Sequence, residues 1–216
     1  MKLKFIIAIF LTACFVDIAL AQTTLPLPPQ SSTYTGQTRG YWFTAPSDFE
    51  ITSIGVPTDA STDNQSVAII TLNVPPPDFS LSTLDYTVEF LAQDVPGVAP
   101  ISVNVPITAG TMVGILGSRG ANSINSYGTP SPYNTTLLGN PVSLSRLLMQ
   151  NDLQTVFPFA VSGEPGPFDF GRVNITVASL NSVPTLSEWS LIICGLIMLS
   201  IGVVVLKQRY RSTKLA

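Results

Sequence analysis

The chain has 216 residues, a formal net charge of −3, two cysteines and no histidine. The missing histidine removes the ordinary general base, the Ser/His and Cys/His nucleophile pairs and the commonest zinc ligand. Between Gln22 and Ser182 there are four arginines, no lysine and eleven acidic residues, a net charge of −7, and such a surface repels nucleic acid and anionic lipid.

The chain opens like a secretory signal. Lys2 and Lys4 form a basic start, Phe5 to Val16 an apolar stretch, and Ala19-Leu20-Ala21 an A-x-A cleavage site before Gln22, the layout read by the secretion machinery. Leu11-Thr12-Ala13-Cys14 also fits a bacterial lipoprotein box, but its apolar stretch is short and the Phe15-Val16 that follows is too apolar for an exposed mature start. Residues 1–21 are therefore read as a signal peptide. Both cysteines, Cys14 and Cys194, lie in the apolar end segments, so the exported part has no disulfide to form in an oxidising destination. Its stability must come from its own core.

Residues 22–33 (QTTLPLPPQSST) are rich in proline and threonine and predict an extended, poorly packed linker. From 34 to 182 the pattern is one of short strands. Arg39–Ala45, Phe49–Val56, Ser66–Val74, Tyr86–Ala92, Ile101–Val105, Thr111–Leu116, Thr155–Val161 and Gly171–Ser179 are β-branched or aromatic runs, several with a period of two. The cleanest alternation sets Arg172, Asn174 and Thr176 against Val173, Ile175 and Val177, which predicts one wet face. Proline, glycine and asparagine clusters separate the runs, and Leu144–Gln150 reads as either a helical turn or a strand. With no long amphipathic helix in this part, the pattern predicts an all-β fold, an antiparallel β-sandwich or jelly roll.

No catalytic set stands out in this domain. Asp48 with Glu50, or Asp85 with Glu89, would be the carboxylate pairs of a hydrolase, although acids on an acidic soluble surface are the ordinary expectation. Asp59, Asp63 and Asn64 offer oxygen ligands to calcium, but not with the spacing of an EF-hand. Gly114, Gly117 and Gly120 in GILGSRG lack the Gly-Lys-Ser/Thr of a phosphate loop and read as a turn at a strand end. Ser118–Tyr133 reads as a long polar loop, of a kind that often carries function on a rigid sandwich. Tyr41, Trp42, Asn125 and Tyr127 are the residues whose rings and amide suit a polysaccharide ligand. No cofactor is implied.

The ending is more specific. Residues 183–216 hold the polar motif Val183-Pro184-Thr185-Leu186-Ser187-Glu188-Trp189, an apolar run that with Trp189 and Ser190 extends to Leu206, and a basic tail over 207–216. A bilayer core of about 30 Å needs roughly 20 apolar residues as helix, about 17 at the lower end, so 189–206 predicts a short membrane span. Lys207, Arg209, Arg211 and Lys214 should stay cytoplasmic, with the N-terminus outside.

The Pro-Thr-Leu-x-x-Trp core followed by a glycine-containing apolar helix and a basic tail resembles the IPTL-CTERM sorting signal. That family is handled by exosortase-type membrane transpeptidases of bacteria. Val183 stands for the usual isoleucine and Ser190 for a common glycine. The resemblance implies that a membrane enzyme with a catalytic cysteine cuts near the motif, detaching the domain from its helix and joining it to another molecule. On this reading the chain is a substrate and not an enzyme. It is held as a single-pass protein of the cell envelope or surface before processing, with release into the medium as a further outcome.

Overall fold

A computed structural model of the chain describes residues 22–180 and the helical backbone of 186–213. The body, ending at Leu180, and the C-terminal segment are separate compact units. The expected signal peptide at 1–21 and the motif residues Val183, Pro184 and Thr185 lie outside the described residues.

The body is built of antiparallel strands in chain order: β1 (Gln22–Thr24), β2 (Gln30–Tyr34), β3 (Arg39–Thr44), β4 (Phe49–Gly55), β5 (Gln65–Leu72), β6 (Tyr86–Val95), β7 (Ile101–Ile107), β8 (Met112–Arg119), β9 (Asn125–Gly128), β10 (Tyr133–Leu137), β11 (Asn140–Met149), β12 (Val161–Gly163), β13 (Phe170–Gly171) and β14 (Asn174–Ser179). One sheet has the order β1-β14-β4-β7 and a larger one β10-β11-β3-β8-β5-β6, with β12 paired to β11. A third, small sheet runs β13-β9-β2. The sandwich-like core fills between the first two sheets, where Phe49, Ile51 and Ile54 of β4 and Val173, Ile175 and Val177 meet Tyr41 and Phe43 of β3, Val67 and Ile69 of β5 and Val113 and Ile115 of β8. Along β14 the expected alternation holds, with Asn174 exposed and Ile175 and Val177 buried.

The centre of the large sheet, at β3, β8 and β5, is buried on both faces, and its sequence reads accordingly. On β5, Val67 and Ile69 enter the first core, while Ala68, Ile70 and Leu72 enter a second one with Leu116, Leu147, Met149, Leu153, Phe159 and Val161. A strand covered on both sides needs a continuous apolar run rather than an alternating one. Gly114 belongs to this packing, since a Cβ there would meet Ile70 at 2.7 Å and Leu147 at 2.9 Å. The GILGSRG stretch is thus mostly strand, with β8 running to Arg119 and only Gly120 turning the chain at φ +66.

Several expectations are corrected. Residues 22–33 are not a loose linker: β1 pairs with β14, β2 pairs with β9, and Leu25 is 1% exposed within the main core. The leucines of LPLPP supply burial that the prolines disguise. Thr155–Val161 is not a strand except at Val161, where β12 begins. Pro158 cannot donate to a ladder, and the Asp152 carbonyl accepts from the Thr155 and Val156 N–H groups at 3.3 and 3.2 Å, so this stretch covers the second core as turns. Leu144–Gln150 resolves as strand up to Met149, forming the last six residues of β11. The expected loop Ser118–Tyr133 contains β9 and leads into β10, which forms a hairpin with β11 through Leu138 and Gly139 at φ 50 and 80. Two positive φ values are what a tight two-residue hairpin requires.

The C-terminal segment forms the helix α1 (Leu186–Thr213), 28 residues long. Among the described residues no helix is long and apolar enough to cross a membrane. The expected span 189–206 includes positions whose side chains lie outside that set.

Loops at one end of the body converge on Arg119, which is 1% exposed. Its Nε donates to the Val56 and Pro57 carbonyls, Nη2 to Val56 at 2.6 Å, and Nη1 to the Asp63 carbonyl at 2.7 Å and that of Gly97 at 3.2 Å. One guanidinium fork satisfies acceptors from two separate loops, a geometry a lysine cannot copy. Arg119→Ala strands these carbonyls, each at about 1–3 kcal/mol. The variant is expected to lose at least about 3 kcal/mol, read as a lower urea midpoint, and Arg119→Lys should recover only part of it.

Candidate functional site

Strand β11 has a gap along one edge. Its first half pairs with β10 up to Tyr133↔Leu144, and its last residues pair with β12 from Leu147↔Gly163 onward. Ser145 and Arg146 are left without a strand on that side, and the Ser131 hydroxyl oxygen accepts the Arg146 N–H instead, at 3.0 Å. The gap opens a groove of about 230 Å³. Trp42 forms its floor with Ser145 and Arg146, and the walls come from Pro76 and Asp78, from Ser131 and Pro132, and from the Gly163–Gly166 turn with Glu164. Trp42 also packs against the second core, so its ring is held in place.

Arg146 sits at the centre of a stack. Its guanidinium pairs with Glu164 at 2.8 Å and lies 5.8 Å from the Tyr127 ring and 5.7 Å from the Phe168 ring. Tyr127 stacks on Tyr34 at 5.3 Å, and Arg39 lies over Tyr34 at 4.7 Å. Cations placed over ring faces gain electrostatic attraction, more so where water is excluded. The stack therefore fixes β2, β3, β9 and β11 against one another and presents Phe168, 45% exposed, beside the groove. Burial raises the Tyr127 hydroxyl above its ordinary value, with the Arg146 and Arg39 charges opposing it.

Of the four residues expected to meet a ligand, only Trp42 lines the groove. Tyr41 is fully buried and donates its hydroxyl to the Val173 carbonyl at 2.7 Å, linking the two sheets. Asn125 is buried too, with its Oδ1 accepting the Arg39 N–H at 2.9 Å and its Nδ2 donating to the Ser123 and Gln37 carbonyls. Tyr127 is buried within the stack. These three shape the fold around the groove and are closed to a ligand.

The other candidates are engaged with partners of their own. Asp59 pairs with Arg172, Asn64 donates to Asp94 at 3.1 Å, and the Asp63 backbone serves Arg119. Among the described residues no group of three or more His, Cys, Asp or Glu side chains is placed to hold a metal. Asp48 accepts the Ala109 N–H, Asp85 accepts from Asn73 and Glu89 from Thr71, and neither acid pair lines the groove. Asp78 and Glu164 had no signal in the sequence, because turns bring them to the groove from distant segments, and Phe168 reaches Arg146 in the same way.

Beside the stack, Asp169 ties β2 to the segment ahead of β10. It accepts from Ser31 at 3.1 Å, Ser32 at 2.8 Å and the Thr129 hydroxyl. Its carboxyl is held below the ordinary value chiefly by the Thr129 bond, with burial opposing and the Ser32 and Ser31 hydroxyls assisting. A carboxylate depressed on folding stabilises above its unfolded pKa of about 3.9 and loses that contribution as pH falls through the lower folded value. In Asp169→Asn the deficit in urea midpoint against the wild type should be present at pH 7 and shrink toward pH 3.

Compared with protein-family models, curated proteins and solved structures, the chain matches none of them.

Proposed function

We propose that the chain is an exported surface protein whose β-rich body is delivered to a membrane transpeptidase of exosortase type, with Val183–Trp189 as the segment that enzyme recognises. The observation that carries the reading is the order of the signals in the sequence, an A-x-A site ahead of the body and Val183–Trp189 with an apolar run and a basic tail behind it. The A-x-A of Ala19–Ala21 precedes, and Val183–Trp189 follows, all the strands described from Gln22 to Ser179. In the register of β1 with β14, Gln22 stands opposite Ala178, so among the described residues cutting at both signals keeps every strand pair. The body also carries its own cores and needs no disulfide, which suits a domain that must persist after release.

A second reading concerns what the released body does. An aromatic ring in a groove with hydroxyls and carboxylates around it suits a glycan of an extracellular matrix, and Trp42 among Ser131, Ser145, Asp78 and Glu164 has that composition. A hydrolase acting through the Asp48/Glu50 or Asp85/Glu89 pairs is less favoured, since none of these acids lines the groove.

Intact-mass analysis tests the first reading in cells that carry such a transpeptidase. The expected product begins at Gln22 and ends within Val183–Trp189, and a Pro184→Ala, Thr185→Ala double variant accumulates uncut. A wild-type chain retaining residues 191–211 in the membrane fraction would instead identify a plain anchor.

A further inference from the structure

The groove has a charge pattern that selects among glycans. Arg146 is the only cation among the residues lining it, and its guanidinium is already engaged: Nη1 with Glu164 at 2.8 Å, Nη2 toward the Tyr127 hydroxyl at 3.4 Å, and its plane held near the rings of Tyr127 and Phe168. Asp78 adds a further carboxylate. An anionic sugar would meet two acids and one neutralised arginine, inside a body whose other three arginines are likewise tied to neighbouring groups. Repulsion of this kind discriminates as effectively as attraction.

The remaining lining favours hydroxyls and an apolar ring face. Trp42 is held rigid by the second core, Pro76, Pro132 and Pro165 give apolar walls, and Ser145, Ser131, Asp78 and Glu164 offer oxygens that accept from sugar hydroxyls. The wall turn stays low because Gly163 and Gly166 lack side chains; a Cβ at Gly163 would meet the Pro76 carbonyl at 3.2 Å and one at Gly166 the Phe168 ring at 3.0 Å. At about 230 Å³ the groove falls below the roughly 300–1,000 Å³ of pockets for drug-sized ligands. That is room for a single sugar ring of a chain running past Phe168.

We infer that the groove takes one unit of a neutral, hydroxyl-rich polysaccharide, stacked on Trp42, and that the Arg146–Glu164 pair excludes uronate-containing and other anionic glycans. The inference rests on the glycan-binding reading above and adds the ligand class to it.

The test uses the full chain in detergent, run in native affinity gels containing neutral polymers (dextran, arabinoxylan, galactomannan) or acidic ones (alginate, polygalacturonate), at low and high salt. Retardation by at least one neutral polymer is expected, unchanged by salt because no ion pair forms with the ligand. Trp42→Ala should weaken it at least about tenfold. Trp42→Leu keeps apolar volume over the second core, so loss of binding in a variant with wild-type melting temperature assigns the effect to the ring. Glu164→Gln releases Arg146 and should create salt-sensitive retardation by polygalacturonate that the wild type lacks. Salt-sensitive wild-type binding to acidic polymers in preference to neutral ones would overturn the neutral selectivity and leave the glycan reading standing. Absence of wild-type retardation by every polymer would overturn both.

Discussion

Four arginines hold the loops of this body in place, and much else follows from how they are used. Arg119 collects carbonyls from the segments at 56–63 and at Gly97; Arg39 donates to the Thr38 and Met149 carbonyls and to Gln37; Arg172 reaches Asp59 and Ser126; Arg146 pairs with Glu164. With no cysteine between Gln22 and Leu180, connections that a small exported domain often makes by disulfides are made here by planar donor forks. The fork suits the task because it satisfies several acceptors at fixed angles, and a buried carbonyl left unmatched is costly. The Nε atoms of Arg39, Arg146 and Arg172 are buried without a protein acceptor.

The same economy shapes the surface. Because the cations are drawn inward, the acids dominate outside, and a net charge of −7 over residues 22–182 understates how few free positive groups the body offers. The groove at the β11 edge inherits this condition. Its arginine is part of the scaffold, so the chemistry left for a ligand is an aromatic ring, hydroxyls and carboxylates.

How much of this was legible in the sequence depended on what each segment packs against. Strands β3 to β8 lie on β-branched or aromatic runs, and β14 shows its period of two because one of its faces is wet. Segments whose burial is split among prolines and polar residues were not legible. Leu25 enters the core from a stretch that reads as a linker, β9 and β10 form mostly from serine, asparagine, threonine and tyrosine, and the apolar second half of β11, which reads as helical turn or strand, is settled as strand by its pairing with β3 and β12. The site was legible only at Trp42. Tyr41, Asn125 and Tyr127 have the right chemistry for a ligand, but sequence cannot tell a hydroxyl or amide that faces solvent from one that closes a buried bond such as Tyr41 to Val173. Glu164 and Asp78 reach the groove, and Phe168 its arginine, through turns with no periodicity.

The central claim, that every arginine of the body is an internal tie, is tested most directly by arginine-selective labelling with phenylglyoxal read by peptide mass spectrometry. Under native conditions Arg39, Arg119, Arg146 and Arg172 should all resist modification, and all four should react once urea unfolds the chain. Rapid native labelling of Arg119 or Arg146 would contradict the account, because it would show a free guanidinium where the fold and the groove both depend on an engaged one.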